Sequence, residues 1–195
     1  PQGDYALISG QRLASGNVLV HLSVFPLSAD TTVALNVRQD TTAVSVLGNF
    51  NAANRCRPAD AVSETSILSV TGRGYYMLAL LKGGHEPSNH ILHDLERARE
   101  ALEQWGRPLV LLFASQADLD WFNKHRADFP NLPSTVRIGI DHNSASATDL
   151  RTSGLWRSEN YPTVLLADSF NRVVFFTQGY TIGIGEQILQ TVAGL

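Results

Sequence analysis

The sequence predicts an α/β protein, in which a layered α/β/α sandwich follows a small all-β lobe. Two patterns support this prediction. Short strand-like runs without a helical period fill roughly the first fifty residues. From residue 66 onward, strand-like runs alternate with helical ones, an order typical of helices that cover a central sheet. The length of 195 residues accommodates one domain of ordinary size and a second small one.

Composition and charge restrict the class of protein. Hydrophobic residues make up 44% of the chain, which is enough apolar surface for a folded core. The 15 basic and 18 acidic residues give a net charge of -3, without the basic stripe expected of a nucleic-acid-binding protein. No apolar run approaches the roughly 18 residues that cross a bilayer. The single cysteine, Cys56, excludes an internal disulfide and a multi-thiolate zinc site.

Residues 1–48 form the predicted all-β lobe. Runs rich in Val, Leu, Thr and aromatic residues alternate there with turn-forming Gly, Ser, Asn and Asp. Four short strands need a second layer, so we interpret the lobe as part of a larger β-domain or β-sandwich. The chain also begins at Pro1 without a Met, as a piece of a longer protein would. The predicted strands are Tyr5 to Ser9, Val18 to Phe25, Val33 to Val37 and Thr42 to Leu47.

Residues 49–65 are predicted to be a linker, because Asn, Arg, Asp and Ser dominate and apolar residues are few. Cys56 lies inside this stretch between two arginines, which can lower the pKa of a thiol. A nucleophile paired with His21 or His85 is conceivable, but no loop resembling an oxyanion hole accompanies it. We therefore interpret Cys56 as a loop or packing residue.

Residues 66–195 are predicted to form the layered domain. Apolar runs of strand length are separated by amphipathic segments and by glycine- or proline-containing turns. The last two strands are joined by a tight turn, which predicts a hairpin. The expected strands are 75–81, 109–114, 136–140, 164–167 and 172–176, and the expected helices are 87–105, 116–127, 147–155 and 186–193.

The clearest helical pattern lies between Pro87 and Gly106. Apolar residues recur there at steps of four and three, the stripe of a helix with one buried face. Proline near the start and glycine just past the end are the usual residues at helix termini, and Pro108 prevents continuation. The stripe consists of Ile91, Leu95, Ala98, Leu102 and Trp105.

Two motifs in this region resemble those of the thioredoxin fold. Lys82 to Ser88 follows the first long strand and opens the long helix, where thioredoxin-like proteins carry a Cys-x-Pro-Cys pair. Tyr161-Pro162-Thr163 precedes the penultimate strand, where that family has a cis-proline facing the redox pair. The resemblance covers residues 66–195 and implies that His85-Glu86-Pro87-Ser88 keeps the proline and replaces both cysteines. No thiol–disulfide chemistry is expected from these residues, since neither His85 nor Ser88 supplies a sulfur atom.

The resemblance also implies where this domain binds other molecules. In the thioredoxin fold, an extended peptide lies between the helix start and the cis-proline loop, and this groove does not depend on the cysteines. We expect partly exposed aromatic rings beside it and predict no catalytic residue and no cofactor; a packed vestigial loop is the alternative. The expected groove residues are His85, Glu86, Pro87, Ser88, Trp156, Tyr161 and Pro162.

A narrower resemblance concerns the context of the chain. Its strand-rich start, the Leu47 to Asn51 stretch and the Thr177 to Gly183 stretch resemble the C-terminal region of large secreted bacterial transglutaminase-like proteins. The resemblance implies that a papain-like catalytic domain lies upstream and that this chain is a non-catalytic accessory or interaction module. It also implies an extracytoplasmic location, with the protein's own upstream domains or another protein as the partner.

A second hypothesis is a free-standing enzyme with a metal-assisted or acid–base site near the start of the long helix. His90, His93 and Asp94 share one helix face at spacings i, i+3 and i+4. His85 and His90 cannot share a metal on a helix, because at about 100° per residue their side chains diverge. A solvated helix face is the simpler interpretation, and we predict no metal site.

Overall fold

A computed structural model describes residues 3–12, 18–27, 46–156 and 160–195. The chain divides into two compact units, Pro1–Ser45 and Val46–Leu195. In the first unit, β1 (Gly3–Arg12) pairs antiparallel with β2 (Val18–Leu27). These strands confirm the first two of the four strands expected before residue 48.

The other two predicted strands fall largely on parts of the chain that are not described. Val33 to Val37 lies outside the described residues, and so does most of Thr42 to Leu47. Val46 and Leu47 are described, and neither lies in a strand.

The second unit is built on an eight-stranded sheet with the order β3-β10-β9-β6-β7-β8-β4-β5. The three strands β6, β7 and β8 are parallel, and the remaining pairs are antiparallel, including the predicted hairpin of β9 and β10. The strands are β3 (Gly48–Asn49), β4 (Arg55–Pro58), β5 (Thr65–Ser66), β6 (Tyr75–Leu81), β7 (Leu109–Phe113), β8 (Val136–Asp141), β9 (Thr163–Asp168) and β10 (Arg172–Gln178).

Helices cover both faces of this sheet, as the sequence predicts. Alternate residues of β6 enter different cores: Met77 and Ala79 pack on one face, and Tyr76 and Leu78 pack on the other. The first core is covered by α2, α3, α4 and α6, and the second by α1 and α5. The helices are α1 (Ile67–Thr71), α2 (Glu86–Arg97), α3 (Arg99–Trp105), α4 (Gln116–Lys124), α5 (Ala145–Thr152) and α6 (Ile184–Ala193). In the described part of the chain, no helix has the length and apolar character needed to cross a membrane.

Residues 49–65, predicted to be a linker, contribute strands to the central sheet. Cys56 on β4 pairs with Asp141 on β8, and Thr65 on β5 pairs with Cys56. Polar composition conceals this strand, because Cys56 is the one residue of β4 that is buried. An unpredicted helix, α1, follows at once, and its N-terminus is capped by the Ser66 hydroxyl, which accepts from the backbone N–H of Ser69.

The long predicted helix is two consecutive helices that meet at Ala98. Ala98 has φ of -85° and ψ of 2°, outside the helical range of the residues on either side. The apolar stripe survives this break, because the N–H of Leu102 still donates to the carbonyl of Ala98. Ile91, Leu95 and Leu102 therefore lie in the same core, as expected.

The ends of two further helices differ from the prediction. The helix expected to reach residue 127 stops at Lys124, where the His125 ring contacts the Trp121 carbonyl at 2.8 Å, and a 3-10 turn (Arg126–Asp128) follows. The helix expected at 147–155 begins at Ala145 and ends at Thr152. Its start is set by Asp141, whose carboxylate accepts the N–H groups of residues 146 and 147 at 2.8 and 3.1 Å.

Candidate functional site

The loop from β6 to α2 carries the first motif. His85 is the N-cap of α2, and its side chain makes no capping hydrogen bond to the helix backbone. Its Nδ1 lies 3.2 Å from Oγ of Ser88, and that hydroxyl oxygen also accepts from the Lys82 backbone N–H at 3.2 Å. Ser88 is buried and Pro87 is in the first turn of the helix. The two positions where the family has cysteines therefore hold a hydrogen-bonded imidazole and hydroxyl.

Close packing against α4 holds this loop in place. The N–H of Gly83 donates to Oδ1 of Asp118 at 2.8 Å. A Cβ atom at position 83 would lie 2.7 Å from Cα of Asp118, so only glycine fits there without displacing the backbone. The Ser115 hydroxyl donates to the other oxygen of the same carboxylate. The loop is thus anchored by the start of a neighbouring helix.

The second motif lies beside the first. Leu80 near the end of β6 pairs with Thr163 at the start of β9, so the loops that adjoin them meet at one end of the sheet. The Tyr161–Pro162 peptide bond is cis, as the resemblance implies. The Pro162 carbonyl accepts from the N–H of Gly179 at 2.7 Å. This bond holds a third loop, which follows β10, beside the second motif.

The aromatic rings of the predicted groove are buried. Trp156 is 3% exposed and Tyr161 is 7% exposed, so the partial exposure expected for them is wrong. The two rings pack edge to face at 5.6 Å, and the Lys82 ammonium lies 4.6 Å above the centre of the Tyr161 ring. These contacts bury both rings. The two side chains therefore pack beneath the loops and do not themselves form a surface for a bound partner.

The third loop, residues 179–183, supplies an exposed apolar side chain that the sequence did not single out. Tyr180 stacks on His90 at 4.8 Å, and burial, reinforced by the Asp94 carboxylate, raises the pKa of its hydroxyl. Ile182 is 94% exposed. The available signal was a glycine-rich stretch with two isoleucines, Ile182 and Ile184, and only the packing of the loop decides that the first is exposed and the second buried. We call residues 82–85, 160–162 and 179–183 the three-loop surface.

The residues of the alternative enzyme site bind separate partners. Nε2 of His90 lies 3.6 Å from Glu86, Nδ1 of His93 lies 3.0 Å from Glu96, and Asp94 pairs with Arg97 at 2.7 Å. Among the side chains that the structure describes, no three His, Cys, Asp or Glu residues converge as metal ligands. Each of these side chains therefore contacts a neighbour on its own helix, and they do not converge on a common point.

Cys56 lies away from the three-loop surface. Its strand, β4, is separated from β6 by β7 and β8. Burial, assisted by the Asp141 carboxylate, raises the pKa of its thiol to about 11, against the opposing effect of Arg55. The thiol is therefore a poor nucleophile at neutral pH. The side chain of His21 lies outside the described residues, so the pairing considered for it stays a prediction.

The sheet order, the helical layers and the cis-proline beside a helix start define a thioredoxin-like fold. Solved structures with this fold align over most of the chain at low identity. A Chlorobium tepidum protein named as a thiol:disulfide interchange protein DsbE is 16% identical with a TM-score of 0.55, covering 74% of this chain and 95% of its own. Peroxiredoxin Q from Xanthomonas campestris is 9% identical with a TM-score of 0.58, covering 76% and 96%.

BsSco, a member of the Sco family of cytochrome c oxidase assembly proteins, is 11% identical with a TM-score of 0.58, covering 76% of this chain and 94% of its own. No family model and no curated protein sequence matches the chain. At these identities the likeness establishes the fold, and function has to be argued from the residues.

Proposed function

We propose that this chain is a redox-inactive thioredoxin-like module that binds an extended segment of another protein or domain at its three-loop surface. The main support for this proposal is that three loops meet at the start of α2. His85 and Ser88 occupy there the two positions at which thioredoxin-like proteins carry cysteines.

The chemistry of the chain supports the redox-inactive part. Exchange between a dithiol and a disulfide needs a thiolate and a second, resolving thiol. The chain has one cysteine, and that residue is buried with its pKa raised to about 11. A single chain of this sequence therefore cannot complete a dithiol cycle.

The shape and anchoring of the surface support the binding part. Each loop is held by a hydrogen bond to a neighbour, so the surface is preorganised and loses little conformational entropy on binding. Ile182 offers an apolar contact that is 94% exposed, and Tyr180 in the same loop stacks on His90 of α2. Exposed apolar side chains on a rigid, polar-rimmed surface are typical of protein contacts.

A random peptide library displayed on phage tests the binding part with the whole chain as bait. We expect selected peptides to bind the native chain and to lose at least about tenfold in affinity with Ile182→Asp. Phe170→Asp is the matched control, because Phe170 is 78% exposed at the tip of the β9–β10 hairpin. The six residues of β9 place that tip about 20 Å from the three-loop surface. A library without binders, or binders sensitive to Phe170→Asp alone, would contradict the proposal.

Reduction of insulin by dithiothreitol tests the redox part. We expect the native chain to leave the uncatalysed rate unchanged, because neither His85 nor Ser88 can form a mixed disulfide. Catalysis above that background, lost on Cys56→Ser, would overturn this part and leave the binding part to be judged by the peptide experiment.

The narrower resemblance supplies a context for the module. We propose that it lies in the C-terminal region of a secreted transglutaminase-like protein, outside the cytoplasm, with that protein's upstream domains as its first partner. The support is the resemblance of the Leu47 to Asn51 and Thr177 to Gly183 stretches. The coding sequence upstream of Pro1 tests it: a papain-like Cys-His-Asp domain is expected, and its absence would contradict the context alone.

A further inference from the structure

Lys82 carries a positive charge on the three-loop surface. Its side chain is exposed, and its ammonium rests 4.6 Å above the Tyr161 ring. In the described part of the chain no carboxylate lies within ion-pair distance of it. An exposed lysine over an aromatic ring keeps its charge available, because a cation–π contact does not neutralise it.

Two carboxylates close to Lys82, one through its neighbour Gly83 and one along the chain, have other partners. Asp118, which contacts the adjacent Gly83, accepts that residue's N–H and the hydroxyl of Ser115. Glu86, one residue into α2, lies 3.6 Å from His90. Among the described residues the ammonium therefore has no ion-pair partner, and it lies beside the loop that contains Pro162.

From this arrangement we infer that the segment bound at the three-loop surface carries an acidic side chain that pairs with Lys82. The inference rests on the proposed function. An extended segment that lies across the three-loop surface passes the exposed Lys82 ammonium, and a carboxylate on it can replace the buried Tyr161 ring as the contact of that ammonium. Charge complementarity of this kind selects partners and raises association rates more than it raises affinity.

Lys124 is a suitable control residue, because Lys82 and Lys124 are the two lysines of the sequence. Lys124 is an exposed residue in the last turn of α4. The same random library is selected against the native chain, against Lys82→Glu and against Lys124→Glu. Peptides from the native chain should be enriched in Asp and Glu, and those from Lys82→Glu should lose this enrichment or replace it with Lys and Arg.

Affinities of one selected acidic peptide complete the test. We expect Lys82→Glu to weaken binding by about tenfold or more, Lys82→Gln to weaken it less, and Lys124→Glu to change it by less than about twofold. Added salt should weaken native binding and have little effect on the Lys82→Gln variant. Carbodiimide coupling of the peptide should yield an amide at Lys82 and not at Lys124.

The two proposals fail in different ways. Peptides that depend on Ile182 but show no acidic preference, or bind Lys82→Glu as well as the native chain, would overturn this inference and leave the proposed function standing. A library that yields no peptide for the three-loop surface would overturn the proposed function, and this inference with it.

Discussion

Nδ1 of His85 lies 3.2 Å from Oγ of Ser88, so the two side chains that occupy the thiol positions of the fold contact each other directly. The Ser88 oxygen also accepts from the Lys82 backbone N–H, which links the end of β6 to the start of α2. The substituted residues thus maintain the geometry of the helix start while removing its sulfur chemistry.

This contact predicts that redox activity can be introduced. In a Cys56→Ser background, the double variant His85→Cys/Ser88→Cys should form an intrachain disulfide, because the side chains of positions 85 and 88 already face and contact each other across the first turn of α2. A thiol at the start of a helix also has a lowered pKa, which favours exchange. Thiol counting after mild oxidation should show no free thiol, and insulin reduction should rise above background. The single variant His85→Cys is the control, and two free thiols after oxidation would contradict the prediction.

Cys56 should react slowly while the protein is folded. Its thiol is buried and its pKa is raised to about 11, so the reactive thiolate is scarce near neutral pH. Labelling with iodoacetamide at neutral pH should be at least about tenfold slower in buffer than in denaturing urea. Rapid labelling of the folded chain would show that Cys56 is more accessible and more acidic than its surroundings indicate.

Asp141 should be a major contributor to the stability of α5. Its buried carboxylate accepts two backbone N–H groups at the helix start, at 2.8 and 3.1 Å. Asp141→Ala leaves both donors without a partner and should lower the free energy of unfolding by about 1–3 kcal/mol, measured by urea denaturation. Asp120→Ala is the control, because Asp120 is exposed and caps no helix. Equal effects of the two substitutions would refute the capping role.

Glu103 should stabilise the folded state only above the pH at which it ionises. Its carboxylate accepts the N–H of Ser134 at 2.9 Å, and this bond, with help from Arg99, lowers its pKa below the ordinary 4.5. A lowered folded-state pKa means that the stabilisation is present above the unfolded value and is lost as the pH falls through the folded value. The difference in melting temperature between the native chain and Glu103→Gln should therefore shrink from about pH 7 to about pH 3. Glu100→Gln, on the exposed face of the same helix, is the control, and a difference independent of pH would contradict the prediction.

Local patterns predicted much of the layered domain. The run from Tyr75 to Leu81 is a strand with those bounds, and the apolar stripe of the long helix lies in the core as expected. Both results depend on periodicity within one element, which a sequence displays directly. The helix break at Ala98 could not be predicted in this way, because the apolar stripe continues through it without interruption.

The candidate site was predicted in part. His85, Ser88 and Pro162 lie where the resemblance implies, but Trp156 and Tyr161 are buried beneath the loops. Their burial depends on Lys82 and on residues distant in the chain, and a sequence does not display such contacts. Ile182 was missed for the same reason, since an isoleucine in a glycine-rich loop is exposed or buried according to its neighbours.

By itself, the sequence determined the order of strands and helical segments from Tyr75 onward, the absence of a second thiol and the residues that replace the redox pair. These properties depend on composition and on spacing along one segment. Only the tertiary structure decided that Cys56 pairs with Asp141 in the central sheet, that Lys82 lies over the Tyr161 ring, and that the loop after β10 is bonded to Pro162. Such pairings join residues far apart in the chain, so they follow from the way whole layers pack and not from any local pattern.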